Sequence, residues 1–316
     1  MKKYDITALG EILIDYTPLP ASKTGMMVFE QNPGGAPANV LACAAKLGQK
    51  TAFIGKVGND MQGLFLKNIL NNTNIETGGL ILDDKFFTTL AFVSLDEKGE
   101  RSFAFARKPG ADTQLTVNEV DLNLIENTSI FHFGSLSLTD NPSRESTYFA
   151  INHAKQSGAI ISYDPNYRPL LWKSKEDAVN MMTSVLHYVD VIKLSDEEVA
   201  LVTGEKDLKL ATEFLLNKNI SIIAITLGEK GAFVATKEGC AEVPAKKVNP
   251  VDTTGAGDAF WGGFLYCLGK ANKKPHELSL NEVIKFAEFA NNAAGKCVQK
   301  RGAIPAMPSL DELTIL

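Results

Sequence analysis

"VNPVDTTGAGDAFWGGFL", residues 248–265, runs from polar residues through a glycine-alanine-glycine step into an apolar pattern. Ala259, Phe260, Phe264, Cys267 and Leu268 fall at helical spacing. Gly255, Ala256 and Gly257 therefore lie at a helix N terminus, where unpaired N–H groups and the positive end of the helix dipole attract negative charge. Asp258 follows directly, although a carboxylate is a poor neighbour for a phosphate. Two readings are open. Asp258 complements the helix dipole, or the amides hold charge on a transferred phosphoryl group while Asp258 takes a proton from the attacking hydroxyl.

Other glycine-loop chemistries fit less well. A dinucleotide fingerprint needs a third glycine where Phe260 stands, and a polar "NPVDTT" precedes the loop instead of a strand. No GxxxxGK followed by Ser or Thr occurs in the chain. A nicotinamide-dependent oxidoreductase is thus disfavoured. A catalytically silent ligand-binding relative would lack the acid, and Asp258 is present.

Outward from this loop, short β-rich runs alternate with helical patterns. "YDITALG", "APANVLACAAKLG", "TAFIGKVG" and "MQGLFLKNILNN" follow one another, and "IFHFGS", "AIISYDPN", "VDVIKLS" and "ISIIAITLG" are apolar runs ending in small or polar residues. That rhythm predicts an α/β fold with a mostly parallel sheet covered by helices, binding its ligand at the polar strand ends. Residues 12–31 and 86–106 break the rhythm with strand-like alternation and no helix. We expect them to form a small antiparallel sheet, the second stretch turning at "DEKGE", as a lid beside a body of residues 1–11, 32–85 and 107–316.

Composition limits the function classes. The 316 residues are 45% hydrophobic and 22% charged with a formal net charge of −5, without the basic excess of a nucleic-acid binder. No apolar run approaches the ~18 residues of a membrane span, and Glu11 and Asp15 interrupt the N-terminal apolar run. Cys43, Cys240, Cys267 and Cys297 form no CxxC pair, so no zinc site or disulfide framework is expected, and free thiols fit a cytoplasmic protein.

A second loop repeats the construction. "NPGGAPANVLACAAKLG" sets Gly34 and Gly35 before a helix with Asn39 in its first turns. Paired glycines permit close approach of a small ligand, and an amide that donates and accepts suits sugar hydroxyls. Asp15, just after the first strand, has the lone pairs to take two hydrogen bonds from a diol, or is a solvated lid residue. His132, in an apolar strand, reads as a core histidine.

These residues, in this order, resemble the ribokinase-like (pfkB-type) family of carbohydrate kinases along essentially the whole chain. The loop at 32–48 resembles its first signature and residues 248–265 its more specific second one. The resemblance implies a three-layer sandwich with a small β-sheet lid and ATP-dependent phosphorylation of a sugar hydroxyl. It implies Asp258 as catalytic base, Gly255, Ala256 and Gly257 as anion hole, and Asp15, Gly34, Gly35 and Asn39 at the sugar. Lys193, Thr226, Gly228, Gly231 and Asn291 are implied at the nucleotide. Glu198 is implied to organise Mg2+ through water, although Ser195 stands where many members have asparagine. Asp252 by its side chain, and Thr254 and Gly302 by their carbonyls, are implied at a monovalent cation, K+. "GEILIDYTP", "ERSFAFARKPGAD" and "DPNYRPLLW" resemble fructokinases more than ribokinases or adenosine kinases, and place Arg107 and Arg168 at the substrate. A 2-keto-3-deoxygluconate kinase is the main alternative, and a homodimer through the lid is expected.

Overall fold

The computed structural model describes residues 2–95 and 101–314. Strand β1 (Tyr4–Leu9) is followed by β2 (Leu13–Leu19), β3 (Val28–Gly34) and helix α1 (Ala36–Lys46). Then come β4 (Thr51–Gly58), α2 (Met61–Asn72), β5 (Ile75–Asp83), β6 (Leu90–Leu95) and β7 (Arg101–Ala106). The chain next alternates through α3 (Leu122–Glu126), β8 (Thr128–Gly134), α4 (Ser143–Gln156), β9 (Ile160–Asp164) and α5 (Lys175–Ser184). It continues with β10 (Val191–Ser195), α6 (Asp196–Thr203), α7 (Leu208–Leu216) and β11 (Ile222–Thr226). The hairpin of β12 (Ala232–Thr236) and β13 (Gly239–Val243) precedes α8 (Ala256–Ala271), α9 (Leu280–Cys297) and α10 (Leu310–Thr314).

Among the described residues the strands form two sheets, a nine-stranded one ordered β13-β12-β11-β10-β9-β8-β1-β4-β5 and a four-stranded one ordered β3-β2-β6-β7. In the large sheet the pairs from β11 across to β5 are parallel, and only the β11–β12 and β12–β13 pairs are antiparallel. Central strands such as β1 and β4 are buried on both faces, as the run of Ile6, Ala8 and Leu9 requires in a helix-covered parallel sheet. One core layer joins Ile6, Val40, Leu41, Phe53, Trp261 and Phe264 beneath α1, α2, α8 and α9. The opposite layer joins Leu9, Phe131, Phe133, Tyr163 and Met182 beneath the helices from α3 to α7. The result is the three-layer α/β sandwich expected.

The small sheet departs from the expectation in one respect. Its outer pairs are antiparallel, but its central pair β2–β6 is parallel, with Asp15 opposite Ala91. The cause is connectivity: β2 follows β1 and β6 follows β5, two strands that point the same way in the large sheet and deliver the chain from the same edge. The "DEKGE" turn at 96–100 lies outside the described residues.

Two close contacts set the position of the site. A Cβ on Gly262 would lie 2.5 Å from Cβ of Cys43 and 2.8 Å from the Val40 carbonyl, so α8 packs directly on the backbone of α1. Trp261 Nε1 donates to Ser162 Oγ at 3.0 Å, and that hydroxyl lies 3.0 Å from Nδ1 of His132. The His132 ring is neutral, because burial pushes its pKa down to about 3. His132 is therefore a core histidine that ties α8 to β8 and β9.

Candidate active site

Between the polar edge of the large sheet and the small sheet lies a cavity of about 440 Å³, lined among others by Asp15, Asn39, Arg168, Lys193 and Asp258. Gly35, Gly255, Ala256, Gly257, Asp252, Thr254 and Gly302 line it too. Loops more than 200 residues apart in sequence meet here because parallel strands place all their βα turns on one edge.

Gly255 caps α8 with φ of 77°, a left-handed conformation that L side chains rarely adopt. It turns the chain so that the N–H groups of the first helical turn face the cavity. Ala256 N–H already donates to the Thr253 carbonyl at 3.2 Å, so the amides following it are the ones left by helix geometry. Beneath the loop, Lys193 Nζ pairs with Asp164 Oδ2 at 2.9 Å, both nearly fully buried. The same ammonium lies 3.2 Å from where a Cβ on Gly257 would stand, which puts a fixed positive charge against the loop. Asp164, Glu198 and Asp258 hold Lys193 in its charged form against burial.

Asp258 Oδ2 accepts from Asn39 Nδ2 at 2.7 Å. Burial raises the Asp258 pKa above the ordinary carboxylate value, while Lys193, Asn39 and Arg168 pull the other way. Asp15 is pushed up to about 6, chiefly by burial, with Arg168 opposing and Asp258 adding to the rise. Gly34 makes room for it, since a Cβ there would lie 2.1 Å from Asp15 Oδ2.

Other residues singled out in the sequence sit differently. Arg107 does not line this cavity. Its buried guanidinium donates to Asp112 at 2.7 Å, to Thr139 Oγ1 at 3.0 Å and to the Leu136 carbonyl at 3.0 Å. Glu198 forms a capping box at the start of α6, accepting from Ser195 N–H at 2.8 Å and from Tyr167 N–H at 2.6 Å. Asp252 joins two loops by accepting from Thr254 N–H at 3.0 Å and Gly302 N–H at 3.0 Å. Thr226, Gly228, Gly231 and Asn291 stand outside the cavity lining, along β11 to β13 and α9. There Asn291 Nδ2 donates to the Val243 carbonyl at 2.9 Å, and a Cβ on Gly231 would meet that same carbonyl oxygen at 2.2 Å.

The sequence reading missed Glu11, a buried acid in the cavity wall. A charged residue two positions after a buried parallel strand is the signal that could have found it. Among the described residues no cluster of His, Cys, Asp and Glu is arranged to hold a metal by itself, and no helix is long and apolar enough to cross a membrane.

Comparison with known proteins identifies the family. The pfkB family carbohydrate kinase model matches residues 3–310. A probable fructokinase-7 of Arabidopsis thaliana is 42% identical over 313 residues, covering 97% of this chain and 90% of the relative. Fructokinase-2 of Zea mays is 42% identical over 312 residues, covering 96% of this chain and 91% of the relative. Fructokinase with bound ATP from Xylella fastidiosa superposes with a TM-score of 0.92 at 33% identity, over 99% of this chain and 97% of that one. A fructokinase double mutant from Vibrio cholerae O395 with fructose, ADP and potassium ion bound gives 0.88 at 32% identity, over 99% and 98%. Built on this sheet, with these two glycine loops and an acid at the start of α8, the chain belongs to the pfkB family of carbohydrate kinases.

Proposed function

We propose that this kinase transfers the γ-phosphoryl group of ATP to the 6-hydroxyl of fructose. The observation that carries the reading is the hydrogen bond from Asn39 to Asp258 in the cavity wall, beside the N-terminal amides of α8. Asp258 accepts the hydroxyl proton as the sugar oxygen bonds to the γ-phosphorus, and the bond from that phosphorus to the β–γ bridging oxygen breaks to release ADP. The free amides of α8 and Lys193 stabilise negative charge on the phosphoryl oxygens. Asp15 and Asn39 orient the sugar, with Gly34 and Gly35 allowing close approach, and Arg168 reaches in from the rim.

The nucleotide, held as ATP or ADP by the related fructokinases, would lie along Thr226, Gly228, Gly231 and Asn291. Magnesium, held mostly by phosphate oxygens and water as that ion prefers, would neutralise the triphosphate. Glu198, which already accepts two backbone N–H groups, would organise that water together with Asp164, the partner of Lys193. The Asp252 carboxylate and the Thr254 and Gly302 carbonyls would supply hard oxygens of the kind K+ accepts, and the Vibrio relative holds potassium.

Arg107 is left out of substrate binding in this reading. Every guanidinium nitrogen already donates within the protein, so it offers no fork to a substrate carboxylate. The small sheet acts as the lid, and its aromatic group of Tyr16, Phe29 and Phe92, with Met26 and Met27 exposed, suits a second copy of the chain. A coupled ADP-release assay across fructose, 2-keto-3-deoxygluconate, ribose and glucose tests the reading. Fructose is expected to show the highest kcat/KM, and preference for the sugar acid would overturn the assignment.

A further inference from the structure

The start of α1 cannot cap itself. Its N-cap is Gly35, held at φ of 111°, and its first turn contains no acidic residue. A Cβ at Gly35 would lie 2.5 Å from the Glu11 carbonyl oxygen and 2.9 Å from Cα of Ile12, so the approach that requires glycine excludes a capping side chain. By contrast, α2 is capped by Asp60, α7 by Asp207 and α9 by Ser279. For α1 the acid comes from elsewhere: Glu11, 2% exposed in the β1–β2 connection, accepts from Ala36 N–H through Oε1 at 3.1 Å. Its Oε2 has no hydrogen-bond partner among the described residues.

Asn39 lies one turn further on, its N–H bonded to the Gly35 carbonyl at 3.0 Å and its side chain to Asp258. We propose that Glu11 is a positioning residue: its carboxylate fixes the N terminus of α1 and thereby holds Asn39 where it orients Asp258. The inference rests on the kinase reading. The charged form matters, because a carboxylate complements the helix end better than a neutral group. Burial pushes Glu11 up to about 7, its own backbone bond opposes, Asp112 adds to the rise, and Arg107 and the Ala36 bond counter it. Those two side chains, locked to each other, are the charges facing it.

The test compares the full-length wild type with Glu11→Gln and Glu11→Ala under saturating MgATP, using the best acceptor of the four-sugar panel. Glu11→Ala is expected to lower kcat about tenfold to hundredfold, the scale of a misplaced catalytic group, with KM for ATP unchanged. Glu11→Gln mimics the protonated acid, so the ratio of wild-type to Gln kcat is expected to be largest at pH 8 and to approach one at pH 6. Taking the ratio cancels the titration of Asp258 and Asp15. A Glu11→Ala enzyme within twofold of wild type in kcat, or a ratio that does not change with pH, overturns the proposal. If Glu11→Ala does not fold, the Gln ratio alone decides. Failure of the kinase reading shows separately, as a wild type that phosphorylates none of the sugars.

Discussion

Glu11→Gln also makes a prediction about stability that is independent of catalysis. Burial moves this carboxyl from its ordinary 4.5 to about 7. A folded pKa above the unfolded one means that the folded chain holds a proton the unfolded chain releases. The stability contributed by Glu11 is therefore complete below about pH 4.5 and is lost as the pH rises through about 7. At about 1.4 kcal/mol per pH unit across that interval, the loss amounts to about 3 kcal/mol. Glutamine cannot titrate, and any cost of burying its amide is the same at every pH. The gap between the variants should then move in favour of Gln by about 2.5 kcal/mol from pH 5 to pH 8. In a chain of 316 residues, with an unfolding entropy of about 2.1 cal/mol/K per residue, that corresponds to about 4 °C in relative Tm. Differential scanning calorimetry of both proteins at pH 5, 6, 7 and 8, without ligands, reads it directly. If the Tm difference is the same at pH 5 and pH 8, Glu11 does not carry a proton into the fold and the electrostatic reasoning fails.

Three further outcomes are expected. Asp258→Asn should lower turnover by roughly 10² to 10⁴, the range for loss of a general base. Because burial raises Asp258, its ionised form opposes folding near neutrality. The Asn variant should thus hold or raise Tm, and near-normal phosphorylation by it would remove Asp258 from the base role. Arg107→Ala leaves Asp112 buried without its cation, and should cost about 3 to 5 kcal/mol in urea denaturation. An unchanged midpoint would mean that this pair does not anchor the end of β7. Finally, ATP and fructose together should slow hydrogen exchange in β6 and β7, and no added protection would argue against lid closure.

Much of the candidate site was legible because its residues sit on local patterns. Glycine-alanine-glycine before a helical run signals exposed amides whatever surrounds it, and an acid in the next position is visible in ten residues. Asn39 and Asp15 were visible for the same reason, each standing beside a strand end or a glycine turn. Arg107 read as a substrate ligand because sequence shows a cation but not its partners. Asp112 claims it five residues away, and Thr139 and the Leu136 carbonyl complete the set.

The sequence by itself determined the α/β rhythm, the parallel sheet and the residue types at both glycine loops, since these depend on periodicity and backbone freedom within a few residues. Tertiary structure decided what those local patterns could not. It decided that β2 and β6 run parallel, because two distant strands leave the large sheet from the same edge. It decided that Asn39 meets Asp258, because Gly262 lets α8 rest on the backbone of α1. And it decided that the missing cap of α1 is supplied by Glu11, a contact across 25 residues that arises only when the chain folds back on its first strand.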